Sequence, residues 1–179
     1  MNSTEIFWMQ IIASLVVFGV VAVWYVWPSL TKLSSNSALI PLLFVHVPRY
    51  VGMTLLVAGM VDPTLPREFR TGAAYGDLLE AALAFASILA LRGNWRIAVP
   101  LVWVANTWGF LDLLNGVRGV PQLNVPNFHL ATFWYVYTFY APLVLVSHLM
   151  IFCILIKSKS SKQNGWAQQE MGSSAPAHP

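Results

Sequence analysis

Charged side chains are scarce in this chain: Asp, Glu, Lys and Arg make up 9% of its 179 residues, against 57% hydrophobic residues and a mean hydropathy of +0.62. A soluble domain carries roughly a quarter charged residues, so the composition excludes one and points to lipid as the solvent. Cysteine is nearly absent as well. The single Cys153 excludes an internal disulfide, a CxxC redox pair and a thiolate zinc site; it reads as a small apolar core side chain. There is no CxxCH, so covalently attached haem is excluded. Without a GxGxxG, a P-loop, an HExxH or a GxSxG, nucleotide binding, zinc-protease and serine-hydrolase chemistry have no support. No internal repeat is visible.

Long apolar runs are what the chain has in quantity. Five of them, over residues 6–27, 37–61, 72–91, 97–115 and 132–156, are each near or above the ~20 residues a helix needs to cross the hydrocarbon. They predict an all-α fold, a bundle of five transmembrane helices forming one domain over 1–156. The tail from 157 to 179 turns to Lys, Ser, Gln, Gly and Pro, a composition that predicts a disordered segment. No basic residue precedes the first run and no small-residue cleavage site follows it, so it reads as a retained span. Trp8, Trp24 and Trp27 suit the aromatic belts at its ends.

Orientation follows from the basic residues. One face would carry Arg67, Arg70 and Arg118; the other Lys32, Arg92, Arg96, Lys157, Lys159 and Lys162. Positive-inside bias predicts an N-terminus outside and a cytosolic tail. The net charge of +3 is then accounted for by topological anchors and contacts to membrane lipids, with no nucleic-acid partner required.

Four ionisable residues lie within the predicted spans: Arg49, Asp77, Glu80 and Asp112. A charge at bilayer depth is costly and usually faces a protein interior, which makes this set the first place to look for function. Asp77 and Glu80, spaced i, i+3, share a helix face, with Glu80 roughly one turn deeper. Trp108, Asp112 and Asn115 form a second stripe, and Asn106 lies on the same span. Arg49 falls near mid-membrane and needs a carboxylate or carbonyl partner. Three carboxylates against one arginine leave an excess of negative charge that a proton, a cation or an amine ligand would meet. The bland reading is an Arg49 to Glu80 ion pair, with Asp77 and Asp112 paired to Arg67 or Arg70 at the surface.

Pro48 and Pro142 each remove a backbone hydrogen bond and free a carbonyl, of Phe44 and Thr138, at central depth in two spans. Tyr137, Ala141, Val144 and His148 recur at helical spacing. His46 and His148 lie at matching distances from the cytosolic ends of their spans, so they are candidates for axial ligation of haem, with Arg49 near a propionate. Small residues in the third span, Ala81, Ala82, Ala84 and Ala86 among them, would let it sit centrally. The loop from Gly116 to Ala131 reads as a solvated connector, with a lid over the outer mouth as the alternative.

The combination of Arg49, Tyr50 and Gly52, the run Ala73-Ala74-Tyr75-Gly76-Asp77, Asn106 with Trp108, Gly109 and Asp112, and Pro142 ahead of His148 resembles bacterial multi-pass membrane proteins of unassigned function. That resemblance implies a bacterial cytoplasmic membrane and no particular reaction. At the level of architecture and residue types alone, the five-helix sterol isomerases offer an analogy. The leading expectation is a polar cavity in the outer half of the bilayer that binds a small lipophilic or cationic ligand. Glu80, Asp77 and Asp112 would serve there as acid or base, and Arg49, Trp108, Asn106, Asn115, Tyr50 and Tyr137 as ligand-binding groups. A haem-holding redox or accessory subunit and a proton- or cation-coupled transporter are the competing expectations, the latter without the inverted repeat of a standalone carrier. A homo-oligomer or a larger membrane complex stays open.

Overall fold

A computed structural model describes residues 1–173, with side chains through Ser158. Among the described residues every regular element is helical. The first segment runs Ser3–Val21, capped by Asn2 and Glu5 in a reciprocal capping box, and continues through a π turn, Ala22–Val26, into Trp27–Leu30. The second begins as an α-helix, Ser35–Phe44, and resumes as a 3-10 helix, Val47–Leu56. The third and fourth are Arg67–Arg92 and Ala98–Gln122. The last is entered through Phe133–Tyr135 and a π turn, Val136–Tyr140, and runs Ala141–Ser173.

Four stretches, Ser3–Leu30, Ser35–Leu56, Arg67–Arg92 and Phe133–Ser158, are long and apolar enough to cross a membrane. The fourth helix, Ala98–Gln122, has the length but carries Asn106, Asp112, Asn115 and Arg118. The outward faces of the bundle are apolar: Val16, Val23, Phe85, Val104, Leu111, Phe139 and Leu149 are all exposed. So extensive an apolar exterior calls for lipid and identifies a membrane protein. Cys153, expected in the core, is exposed on this exterior, where a small apolar thiol meets no penalty in lipid.

Boundaries shift where prolines and glycine act. The second span was expected to continue to Val61 but its helix ends at Leu56; Gly59 then takes a φ of 79°, and Pro63 and Pro66 keep the chain out of helix. The last helix continues past Ile156 to Ser173, where a disordered tail was expected from 157, since its Lys, Ser and Gln residues tolerate helix. The remainder of that tail, 174–179, lies outside the described residues. The connector after Gly116 is not plainly solvated. Its first part extends the fourth helix, and Val120, Val125 and Leu130 are buried against Phe7, Leu55, Val61, Leu65 and Phe133. Burying those apolar side chains outweighs leaving the loop in water.

Two apolar tiers result. One gathers Phe7, Leu55, Leu65, Val125 and Phe133; the other gathers Leu39, Leu42, Leu43, Ile88, Val102, Ile151 and Leu155. The third segment packs most extensively, against the 3-10 stretch and the fourth helix, while the first contributes Phe7 alone to full burial along Ser3–Val21. At the other end of that first segment, the Lys157 ammonium stands 4.6 Å from the centre of the Trp27 ring, a cation–π contact joining first and last helices.

The break in the second segment is where sequence and site meet. Pro48 has no N–H to give, and Arg49 N–H turns back to His46 O at 3.1 Å, so the carbonyls just before it lose their helical donors. The last helix supplies a replacement at Val45 O and a second donor at Leu42 O, which already accepts Val45 N–H at 3.1 Å. Tyr140 donates its hydroxyl to Val45 O at 2.7 Å, and Ser147 donates to Leu42 O at 3.1 Å. The Tyr140→Phe variant is therefore expected to lose about 1–2 kcal/mol. Ser147→Ala, which also removes a partner of His46, should lose more; thermal unfolding of the purified variants in one detergent reads both.

Candidate functional site

Between the two tiers lies a polar layer built from four segments. The kink at Pro48 turns Arg49 inward until 4% of its side chain is exposed, and its guanidinium fork is filled on three sides. Nε and Nη2 both lie 2.7 Å from Asp77 Oδ1, Nη2 lies 2.6 Å from Asp112 Oδ2, and Nη1 donates to Gly109 O at 3.0 Å. One side chain thus ties the second, third and fourth segments together. The planar fork suits this where a lysine would not, because its donors point in fixed, separate directions.

This departs from the bland reading of the pairing. Arg49 pairs with Asp77 and Asp112, neither acid turns to Arg67 or Arg70, and Glu80 stands apart; Arg70 Nε instead donates to Leu65 O at 3.1 Å. The backbone leaves room for the acids. A Cβ at Gly52 would fall 2.8 Å from Asp77 Cγ, one at Gly76 2.7 Å from Asp112 Cγ, and one at Gly109 2.6 Å from Glu80 Oε2. Each carboxylate is seated on a glycine of the neighbouring segment, a close approach that any side chain there would obstruct.

Arg49, Asp77 and Asp112 form one wall of a cavity of about 130 Å³. Asn115, Tyr137, Tyr140, Phe69, Phe133 and Val144 line it too, with Gly72 and Gly116 at its edge. The expected stripe Tyr137, Ala141 and Val144 faces this space. Trp108 and Tyr50 do not: they are 44% and 56% exposed, because the fourth helix turns Asn106 and Gly109 inward and the 3-10 stretch turns Arg49 and Gly52 inward.

Glu80, Asn106, His46 and His148 form a second cluster, each at most 1% exposed and none lining the cavity. The two histidines expected at one depth do meet, with ring centres 4.2 Å apart. That contact overturns axial haem ligation: bonds of about 2 Å on each side of an iron already separate the nitrogens by roughly 4 Å, before either ring is counted, so no macrocycle fits between these rings. His46 Nε2 lies 3.1 Å from Ser147 Oγ, and His148 Nδ1 lies 2.8 Å from Asn106 Oδ1. His46 Nδ1 faces Glu80 Oε1 at 3.7 Å.

The family can now be stated. The chain belongs to the family described as domain of unknown function DUF8737. The family model matches residues 6–156, a stretch containing every residue of the cavity wall and of the buried cluster. No curated protein and no solved structure matches the chain.

Sequence reasoning missed Ser147, Tyr140, the Gly109 carbonyl and the glycine seats. A legible signal existed for the last: Gly76 adjoins Asp77, Gly109 lies one turn before Asp112, and Gly52 one turn after Arg49. Removing the cation should be severe. Arg49→Met leaves two half-buried carboxylates facing each other, with an expected loss of about 2–4 kcal/mol, toward the lower end of what breaking a buried pair costs. Adding Asp77→Asn and Asp112→Asn should restore much of it; monodisperse yield and thermal unfolding in detergent measure the difference, and an Arg49→Met protein as stable as the parent would refute the central role given to this residue.

Proposed function

We propose that this is an integral membrane protein whose fourth helix also spans, making five crossings, and whose cavity in the outer half of the bilayer binds a small lipophilic or cationic ligand. The observation carrying this reading is the cavity wall. Two carboxylates and one guanidinium meet apolar and aromatic walls there, a negative balance beside surface suited to a flat hydrocarbon or an amine. A space of about 130 Å³ accommodates several waters or a compact ligand. Any acid or base chemistry would fall to Asp77 and Asp112, which border the cavity, and not to Glu80. An apolar tier on the far side of the polar layer supports binding over conduction. The proposed setting is the cytoplasmic membrane of a bacterium, N-terminus outside, with membrane lipids around it.

The orientation has its own check: a reporter fused after the last helix should be active only in the cytosol, and activity on the outer side would reverse it. For the ligand, Gly72 gives a clean test. A Cβ there meets nothing within 4 Å, yet the residue borders the cavity. Gly72→Leu should fill the space while keeping or slightly raising stability, since glycine in a helix interior costs about 1 kcal/mol. Native mass spectrometry from mild detergent should find a small molecule retained by the parent and absent from Gly72→Leu; an equally loaded variant, or a parent that is empty in every preparation, would sink the cavity reading.

A further inference from the structure

With Glu80 ionised, the buried cluster beside the cavity has an excess of lone pairs and no hydrogen to share among them. Ser147 spends its hydroxyl proton on Leu42 O, so its oxygen can only accept. His46 must therefore carry its proton on Nε2 and donate it to Ser147 Oγ. Asn106 donates Nδ2–H to the His148 carbonyl at 3.3 Å, which turns Oδ1 toward His148 Nδ1 and makes that nitrogen the protonated one. What remains is bare His46 Nδ1, bare His148 Nε2 and both oxygens of Glu80. These atoms are buried without a hydrogen-bond partner. A ligand atom from each of the three residues lies within 4.8 Å of the others.

We infer that His46 Nδ1, His148 Nε2 and the Glu80 carboxylate are the ligands of a buried divalent first-row metal ion. Two imidazoles and a carboxylate are a donor set suited to zinc or ferrous iron. Ligands about 2.1 Å from a shared ion sit up to roughly 4.2 Å apart, a separation that includes the 3.7 Å between His46 Nδ1 and Glu80 Oε1. With both Glu80 oxygens engaged the set supplies four donors. Ser147 and Asn106 hold the imidazoles in the required tautomers, the part outer hydrogen bonds play at metal sites. The charge agrees too. One arginine and one divalent cation neutralise Asp77, Asp112 and Glu80, which low dielectric otherwise makes costly to keep together.

The test uses untagged full-length protein in mild detergent. Elemental mass spectrometry should find close to one equivalent of a single first-row metal per chain. After chelation, added Co²⁺ should bind at one equivalent and give visible d–d bands of nitrogen and oxygen coordination. Glu80→Gln and His148→Gln should lose this, whereas His129→Gln, at an exposed histidine outside the cluster, should keep it. If the ligand variants fail to fold, the cobalt spectrum of the parent still decides. A parent taking up neither Zn²⁺ nor Co²⁺, consistent with a lone proton on Glu80, overturns the assignment, as does undiminished binding by a folded Glu80→Gln. The cavity's ligand is a separate matter: Gly72→Leu should leave the metal content unchanged, so either reading can fail without the other.

Discussion

A guanidinium withdrawn from both water and lipid headgroups is the constraint around which this bundle is arranged. Arg49 can be buried only if each face of its fork finds an oxygen. Asp77, Asp112 and the Gly109 carbonyl provide them, and each comes from a segment that must then stand at a set distance and rotation. The geometry passes to the backbone through the glycines at 52, 76 and 109, where carboxylates press against Cα atoms and not against side chains. The third segment, which packs most extensively of all, lends both Asp77 and Glu80 to this layer, and its buried Ala74, Gly76, Ala81 and Ala84 let the neighbours approach.

Bringing Arg49 inward required breaking the second helix, and the break creates a debt of its own in unpaired carbonyls. In lipid these cannot turn to solvent. Tyr140 answers it at Val45 O and Ser147 adds a second donor to Leu42 O, both from the last helix, which fixes that helix in register with the break. His148, next to Ser147, is thereby brought opposite His46. The buried cluster is in this sense a consequence of how the broken backbone was satisfied. Two apolar tiers lie on either side of the polar layer, and low-dielectric surroundings strengthen the charge interactions at its buried members.

Apolar runs of spanning length made the helical class and four of the long apolar helices readable, because lipid leaves few alternatives for a backbone. Arg49, Asp77, Glu80 and Asp112 stood out for the same reason: charge in an apolar run has to be explained. What could not be read was who pairs with whom. Helical spacing placed Asp77 and Glu80 on one face, yet Arg49 reaches the first and not the second, a choice set by the rotation of a 3-10 stretch that periodicity of 3.6 does not describe. Trp108 shared a stripe with Asp112 on a helical wheel but lies at its edge and faces outward. Ser147 carried no signal, since its part depends on a carbonyl over a hundred residues earlier in the chain. The matched depth of His46 and His148 was legible; the distance between their rings was not, and that distance is what rules out a macrocycle.

Gly109 is where the two layers touch. Its carbonyl receives Arg49 Nη1, and its Cα is the seat of the Glu80 carboxyl. Whatever occupies the space between Glu80 and the histidines therefore bears on the same peptide that orients the guanidinium at the cavity wall. A ligand drawn to Asp77 and Asp112 would compete with Arg49 for their oxygens. Any movement of Arg49 in response would be felt at Gly109, and so at Glu80, through one hydrogen bond and one van der Waals contact. Such a route is short and made of closely packed parts, the condition under which a small displacement is passed on instead of absorbed.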